Sequence, residues 1–570
     1  MPRRRLHEAV RTKATSLSKS SQRNLALGLL AAMWPAVCPP EAQGQFQDVS
    51  AKSGLTAKLV SGSADKPYIL ESMAGGVAFL DYDGDGWLDV YLVNGGTLES
   101  LAGRAPAPSN HLYRNNQDGT FTDVTEACGV GDSGWGMGVA VADVDNNGFE
   151  DLYLTNYGPN RLYLNQGSCK FEERSRESGV DGKEWSSSAA FADYDSDGDV
   201  DLYVTNYLEF DPGNLPQDSL LCRYRGIRVQ CGPRGMVPTA DRLYENLGDG
   251  RFRDVSGPSG IASAPDSYGL GVAWADLDDD GDPDAYIAND STANFLFRNN
   301  GDGTFTEEGL LTGVALSVDG KEQAGMGVDF GDYDNDGRLD LAVTNFSEDY
   351  NSVYRNEGDA LFRDVSEMAG LAEPTWLKLS WGVRFADFDR DGRLDLVVAD
   401  GHVYPEVDRH EFGMGYRQHN SAFRNLGGGA FSAMALPGSG GQAHSSRGLA
   451  SGDFDNDGAV DLLIANLDAP PTLLRGVPQG GHWLVLQLRG TESNRSAIGA
   501  RVTVTAGELV LVREVRGDGS YQSHSDLRVH FGLGQHRQVD SITIRWPLGA
   551  QQVLAGGPSD RILEIEQPRP

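Results

Sequence analysis

Aspartates at alternate positions of a short loop crowd negative charge that a cation must hold together. In Asp81-Tyr82-Asp83-Gly84-Asp85-Gly86-Trp87-Leu88-Asp89 the carboxylates stand at loop positions one, three, five and nine. In a tight turn they point toward one centre, and like charges that close repel strongly without a counter-ion. A hard divalent cation that takes many oxygen ligands, Ca²⁺ above all, suits such a set. Glycine at position six permits the sharp backbone turn. The pattern recurs six more times. The equivalent positions are Asp143, Asp145, Asn147 and Asp151; Asp193, Asp195, Asp197 and Asp201; and Asp276, Asp278, Asp280 and Asp284. They continue with Asp332, Asp334, Asp336 and Asp340; Asp387, Asp389, Asp391 and Asp395; and Asp453, Asp455, Asp457 and Asp461. Only the second copy departs, with Asn147 at its third ligand position. A single copy reads equally well as a solvated acidic turn. Seven copies with constant flanks predict up to seven structural Ca²⁺ sites.

The loop must be positioned by strands. Position twelve, where an EF-hand needs Glu, reads Leu92, Leu154, Val204, Ile287, Val343, Val398 and Ile464. The flanks, Val77-Ala78-Phe79-Leu80 and Asp89-Val90-Tyr91-Leu92-Val93, are short, rich in Val, Leu and Tyr, and bounded by Gly and Asn. The acidic loop is therefore the turn of a β-hairpin. A second hairpin follows each one. Leu112-Tyr113-Arg114-Asn115 leads through Asp118-Gly119 to Phe121, and the form returns up to Ala422-Phe423-Arg424-Asn425 with Phe431. Four strands per repeat, spaced 50 to 83 residues apart, predict a β-propeller. The seventh repeat ends at Leu473-Leu474-Arg475 without its last strand, and the missing piece stands at Phe46-Gln47-Asp48-Val49-Ser50. The expected fold is all-β: a seven-bladed propeller closed by an N-terminal strand, which leaves no free sheet edge.

Small residues open most blades, as in Gly136-Met137-Gly138, Gly269-Leu270-Gly271 and Gly325-Met326-Gly327, where strands should crowd an axis. Loop length varies mostly between second and third strands: Tyr207 to Ala240 and Asp400 to Ser421 are long, Tyr157 to Asn160 short. Those loops share the face opposite the acidic turns, and long loops on a rigid scaffold are where function sits. On that face Glu71, Trp135, Trp185, Tyr268, Gln323, Trp381 and His444 precede the inner strands. They form either a ligand pocket or, the favoured reading, packing at the blade tops. His402, Tyr404, Glu406 and Asp408 in the sixth insertion read as surface loop residues before they read as a second metal or catalytic group.

The 570-residue chain carries a formal net charge of −34 from 48 basic and 82 acidic residues. The loop positions supply 27 of those acids, and seven Ca²⁺ would offset 14 of the 34 charges. The remaining acidity argues against nucleic acid and anionic membranes as partners. Arg3, Arg4 and Arg5, the uncharged run Leu25 to Val37 and the small-residue site Ala42-Gln43-Gly44 predict a signal peptide over 1–44. No later run is long and apolar enough for a transmembrane helix. Beyond the leader, Cys128, Cys169, Cys222 and Cys231 allow three pairings, and Cys222 with Cys231 closes the shortest loop. After a propeller over 45–478, the alternating runs His482–Leu488, Ala500–Thr505 and Asp540–Trp546 predict a separate all-β, sandwich-like domain over 479–567. Arg516-Gly517-Asp518 spells an adhesion tripeptide, which a Gly-rich turn produces by chance.

The seven hairpins resemble the FG-GAP/VCBS repeats of integrin-α-type propellers. The tail, with Ser493-Asn494-Arg495, Ala497-Ile498-Gly499-Ala500-Arg501-Val502, Gly519-Ser520-Tyr521, His530-Phe531-Gly532-Leu533-Gly534 and Arg545-Trp546-Pro547, is similar to an ASPIC/UnbV domain. Together they resemble the cartilage acidic protein family and its bacterial relatives, which implies an extracytoplasmic calcium-binding protein. No nucleophile elbow, phosphate loop, zinc motif or dinucleotide fingerprint occurs. The expected function is a secreted binding module, with structural calcium, for a protein, glycan or small-molecule ligand. The alternatives are an isomerase- or cyclase-type enzyme using the face opposite the calcium loops, and a cell-surface or matrix adhesion protein.

Overall fold

The computed structural model describes residues 45–213, 222–436 and 443–569. The predicted leader over 1–44 lies outside the described residues. From Phe46 to Gly476 the chain forms seven four-stranded antiparallel sheets. Sheet one is Val77–Leu80, Asp89–Leu92, His111–Asn115 and Phe121–Asp123, and sheets two to six repeat that order. Sheet seven takes Ser446–Gly452, Asp461–Asn466 and Thr472–Gly476 from the end of the array, and its fourth strand is Phe46–Asp48. The register fits the displaced half-repeat: Phe46 pairs with Gly476 as Phe121 pairs with Asn115 and Phe431 with Asn425. The chain is a β-propeller closed by its N-terminal strand.

The acidic motif fixes where each sheet begins. Its ninth residue always opens the second strand and pairs with the last residue of the first, as Leu80↔Asp89, Ala275↔Asp284 and Gly452↔Asp461 show. Inner strands are buried along their whole length because each sheet packs on both neighbours. Tyr91, Tyr153, Tyr203 and Tyr286 of the second strands, and Tyr354 of the third strand of sheet five, fill the space between sheets and are fully buried.

Residues 482–566 form two further sheets. One is Val529–Gly534, His482–Arg489 and Arg561–Glu566; the other is Leu509–Glu514, Arg501–Ala506, Gln538–Arg545 and Gln551–Pro558. They share a core of Leu484, Leu486, Val502, Val504, Phe531, Ile542 and Trp546, the arrangement of a small sandwich.

This sandwich packs directly on the propeller. Its segment 516–526 runs down the propeller axis and bonds to the inner strand of every sheet. The Val77 carbonyl accepts from His524 N at 2.9 Å, and Val139 N donates to the Gln522 carbonyl at 3.1 Å. Ser188 Oγ accepts from Gln522 N at 3.1 Å, and Trp274 N donates to Asp518 Oδ2 at 2.7 Å. Val328 N donates to the Ser520 carbonyl at 2.9 Å. Arg384 Nη1 donates to the Asp518 carbonyl at 2.7 Å, and Ser451 N to Ser525 Oγ at 3.1 Å. Some of the small residues that open the blades have their reason here, and others, such as Gly136 and Gly271, face a neighbouring sheet. A Cβ on Gly76 would lie 2.3 Å from the Gln522 carbonyl oxygen, and one on Gly138 3.0 Å from Gln522 Cα. The Arg516-Gly517-Asp518 tripeptide is buried in this axle, with Arg516 bonded to Asp329 and the Phe330 carbonyl.

Candidate metal centres and the opposite face

Each acidic loop turns through two left-handed residues. Position six is Gly throughout, and position four is Gly84, Asn146, Ser196, Asp279, Asn335, Arg390 or Asn456, all with φ between 54° and 71°. In six loops the first carboxylate folds back to accept the amides of positions five and six. Asp81 takes Asp85 N at 3.0 Å and Gly86 N at 2.9 Å, and Asp143, Asp193, Asp332, Asp387 and Asp453 do the same. The fourth loop differs: Asp276 is drawn into an ion pair with Arg545 of the C-terminal sandwich, and Asp278 into one with Arg298.

The carboxylates of the first three ligand positions converge. Asp81, Asp83 and Asp85 place one oxygen each within 4.8 Å of one another, as do the corresponding sets led by Asp193, Asp276 and Asp332; in the second loop the set is Asp143, Asp145 and Asp151. Asp83 Oδ1, Asp389 Oδ1 and Asp455 Oδ1 are buried without a hydrogen-bond partner. Burial, with the neighbouring loop carboxylates adding, pushes Asp193, Asp387 and Asp453 up to about 7 and Asp143 and Asp332 up to about 6. Orphaned acceptors beside strained negative charge are what a bound hard cation would relieve, so the donor set fits Ca²⁺.

The ninth aspartate does more than offer a ligand. Its Oδ1 accepts the amide of the third-strand Asn (2.6–2.9 Å for Asn115, Asn165, Asn246, Asn299, Asn356 and Asn425), and Gly476 N takes that place in sheet seven. In loops two to seven its Oδ2 also accepts the amide of position two, for instance Val144 N to Asp151 at 2.8 Å. The same Asn side chains reach across to the preceding sheet. Asn115 Nδ2 donates to the Phe454 carbonyl, Asn165 to Tyr82, Asn246 to Val144, Asn299 to Tyr194, Asn356 to Leu277 and Asn425 to Tyr333, at 2.7–2.9 Å. Position four adds a second tie onto the following loop: Asn146 to Asp199, Asn335 to the Gly392 carbonyl, Arg390 to the Asp457 carbonyl and Asn456 to the Gly86 carbonyl. Direct hydrogen bonds thus link sheet to sheet. The constant Asn of the Leu-Tyr-x-Asn runs was the sequence signal for this role, and loop spacing alone did not disclose it.

The C-terminal sandwich sits on this loop face. Arg495 N donates to Asn146 Oδ1 at 2.9 Å, Arg501 Nη1 pairs with Asp279 at 2.7 Å, and Arg528 reaches Asn456 and the Asp453 carbonyl at 2.7 Å.

On the opposite face the long insertions pack inward. Trp135, Trp185, Tyr268 and Trp381 join Tyr207, Phe210, Val229, Tyr404 and Val407 in one buried cluster. Glu71 is buried and accepts Ser63 N and Tyr68 N, while His444 is half-buried and pairs by backbone with Gln418. Of the seven residues placed before the inner strands, Gln323 and Trp381 line a cavity of about 240 Å³, and Trp135, Trp185 and Tyr268 pack the blade tops. His402 and Tyr404 are buried together beside Tyr224 and Phe346, against the surface-loop expectation, while Glu406 is half-buried and Asp408 exposed. The cavity residues that the sequence reading missed, Tyr207, Gln230, Asp290 and Asp349, come from the loops between second and third strands. Two disulfides, Cys128–Cys169 and Cys222–Cys231, close the chain locally.

Comparison with known proteins agrees with this architecture. The FG-GAP-like repeat model matches residues 81–154, 143–204, 235–287, 276–343 and 332–398, and the ASPIC and UnbV model matches 490–570. Cartilage acidic protein 1 of Homo sapiens is 26% identical over 509 residues, 87% of this chain and 63% of the relative. The Xenopus tropicalis protein of that name is 29% identical over 312 residues, 53% of this chain and 45% of the relative. The chain thus spans less than two thirds of the length of these two relatives. Among solved structures, an Agrocybe aegerita lectin that recognises non-reducing terminal N-acetylglucosamine aligns with a TM-score of 0.37 at 16% identity, covering 70% of this chain and 87% of the lectin. YCF48 bound to D1 peptide aligns with a TM-score of 0.39 at 8% identity, covering 76% of this chain and 97% of that one. No helix among the described residues is long and apolar enough to cross a membrane.

Proposed function

Because the chain belongs to the FG-GAP-like repeat family and carries an ASPIC and UnbV domain, we propose that it is a secreted, calcium-stabilised interaction module. Asp81, Asp83, Asp85 and Asp89 and their counterparts would hold Ca²⁺, which when bound supplies structural charge neutralisation. The loop side chains themselves order the turns, and the Asn ties hold neighbouring sheets. Two disulfides fit an oxidising, extracytoplasmic compartment.

The observation that carries the interaction reading is the distribution of exposed apolar side chains. Leu310, Leu311 and Val318 between sheets four and five, and Met368, Trp376 and Leu377 between sheets five and six, are all exposed. Six large apolar residues within two neighbouring connections mark a partner surface, whereas singly scattered ones do not. The loop face, by contrast, is covered by the chain's own sandwich. The test is site-specific photocrosslinking in the producing cell envelope or medium. Probes at Val318 and Trp376 should give one defined adduct, and a probe at exposed Val553 of the sandwich none. Equal labelling at all three positions, or none at the first two, would remove the interaction reading.

A further inference from the structure

The 240 Å³ cavity opposite the acidic loops is lined by residues of several sheets and is partly open to solvent. The disulfide-closed segment of the third insertion crosses over it. Gln230 in that segment donates to Ser72 Oγ at 3.2 Å and to the Val403 carbonyl at 3.3 Å, while Arg225 reaches Glu348 and the Phe412 carbonyl at 2.9 Å. The floor is Met73, Met326 and Trp381, which rest on Tyr521 at the tip of the axle: its hydroxyl donates to the Met73 carbonyl at 3.0 Å, and its ring centroid lies 4.8 Å from that of Trp381. The volume exceeds the roughly 150 Å³ that holds a benzene ring in an engineered cavity.

Its polar lining is short of donors. Gln230 is 6% exposed, and its Oε1 has no partner. The amide orientation is fixed because Val403 offers only a carbonyl, so the nitrogen must face it and the oxygen is left over. Asp290 accepts Tyr207 Oη at 2.6 Å and Ser291 Oγ at 2.9 Å, which leaves a lone pair on each oxygen. Asp349 and Glu322 add two more carboxylates, against the single guanidinium of Arg234, which is engaged with Glu322 at 3.7 Å and the Ser291 carbonyl at 3.2 Å. Phe346 and Tyr404 supply apolar wall. The face of Trp381 is already taken by Arg447 at 4.1 Å, so it offers packing and no free cation–π surface.

We propose that this cavity binds a small organic ammonium ion, its apolar stem against Phe346, Tyr404 and Met326 and its N–H groups toward Gln230 Oε1, Asp290 and Asp349. A buried orphan acceptor needs a donor, and a surplus of carboxylate selects a cationic one. The Cys222–Cys231 segment narrows the entrance, which favours a free small molecule over a lysine or arginine presented by a protein.

The test is calorimetric titration of the full, oxidised chain in calcium with 2-phenylethylammonium, the neutral 2-phenylethanol, anionic 3-phenylpropanoate and a blocked lysine tripeptide. The ammonium should bind at least tenfold more tightly than the alcohol, with no binding of the carboxylate. Asp349→Asn, at a half-exposed site that folding tolerates, should weaken it about tenfold, and Gln230→Leu likewise. Equal affinity for ammonium and alcohol, no ammonium binding up to 10 mM (roughly the weakest affinity of interest, near 3 kcal/mol), or an unchanged Asp349→Asn titration would overturn the site. A tripeptide binding as tightly as the free amine would overturn the small-molecule occupant.

Discussion

Replacing Tyr521 by alanine tests whether the axle makes one cooperative body of the propeller and the sandwich. Tyr521 is fully buried, packs its ring against Trp381 at a tilt and bonds to the Met73 carbonyl, although its chain belongs to the C-terminal domain. Emptying such a site costs about 3–5 kcal/mol. How that cost appears in a melt depends on what unfolds together. Unfolding entropy is about 2.1 cal/mol/K per residue, so a body of roughly 520 residues has about 1.1 kcal/mol/K and its Tm falls by only about 3–5 °C. A sandwich of roughly 85 residues melting alone has about 0.18 kcal/mol/K and its Tm would fall by about 17–28 °C. Differential scanning calorimetry in calcium separates the cases. The hydrogen bonds from residues 516–526 to all seven inner strands predict one transition, displaced by a few degrees. Tyr521→Phe, which loses the hydroxyl with its bond to Met73 and keeps the ring, should move it by about 1–2 °C, for a cost of about 1–2 kcal/mol. Two transitions, with the smaller displaced by tens of degrees and the larger unmoved, would refute the reasoning.

Removing calcium with EGTA should lower the Tm, and restoring it at 100 times Kd should return about 2.7 kcal/mol for each site filled; a melt indifferent to chelator refutes the loop assignment. Asn299→Ala removes the tie to the Tyr194 carbonyl and should cost about 1–3 kcal/mol in a urea titration while leaving calcium stoichiometry unchanged; a loss of one calcium per chain would place the Asn in the metal site instead. Burial, with the Arg384 charge adding, lowers His524 to about 3, so the folded chain holds it neutral. Its contribution is therefore complete above the unfolded value near 6.5 and is lost as pH falls toward 3, by about 1.4 kcal/mol per pH unit. His524→Gln should flatten the stability profile between pH 6.5 and 4, and a profile as steep as that of the unaltered chain would refute the assignment.

The loops were legible because their chemistry is local. A carboxylate every second residue with Gly at position six specifies a turn whatever surrounds it, and the displaced Phe46 strand identified ring closure because the repeat itself supplied the template. The axle was not legible for the opposite reason. Gly519-Ser520-Tyr521 belongs in sequence to the tail, and nothing near it says that seven inner strands, hundreds of residues upstream, bond to it. Gly138 carried part of that message: it reported that something approaches the axis closely, without saying what. Of the pocket candidates, Gln323 and Trp381 do line the cavity. Position before an inner strand selected Trp135, Trp185 and Tyr268, which are large enough to fill the blade tops and do so. The polar groups that stay unfilled, Gln230, Asp290 and Asp349, stand on the loops between second and third strands, where length and composition vary freely.

These placements change what the two faces do to one another. The C-terminal sandwich holds the acidic loops from outside through Arg495, Arg501 and Arg528. Its axle then passes through the ring, and Tyr521 supports the floor of the cavity on the far side. A cation that tightens the loops acts on a body whose other end is the cavity floor. Met73 and Trp381 touch Tyr521 directly, so coupling through this axle would need no movement of the sheets. The strength of that coupling is set by the difference in ligand affinity between calcium-loaded and calcium-free chains, and linkage requires the ligand to tighten calcium by the same factor.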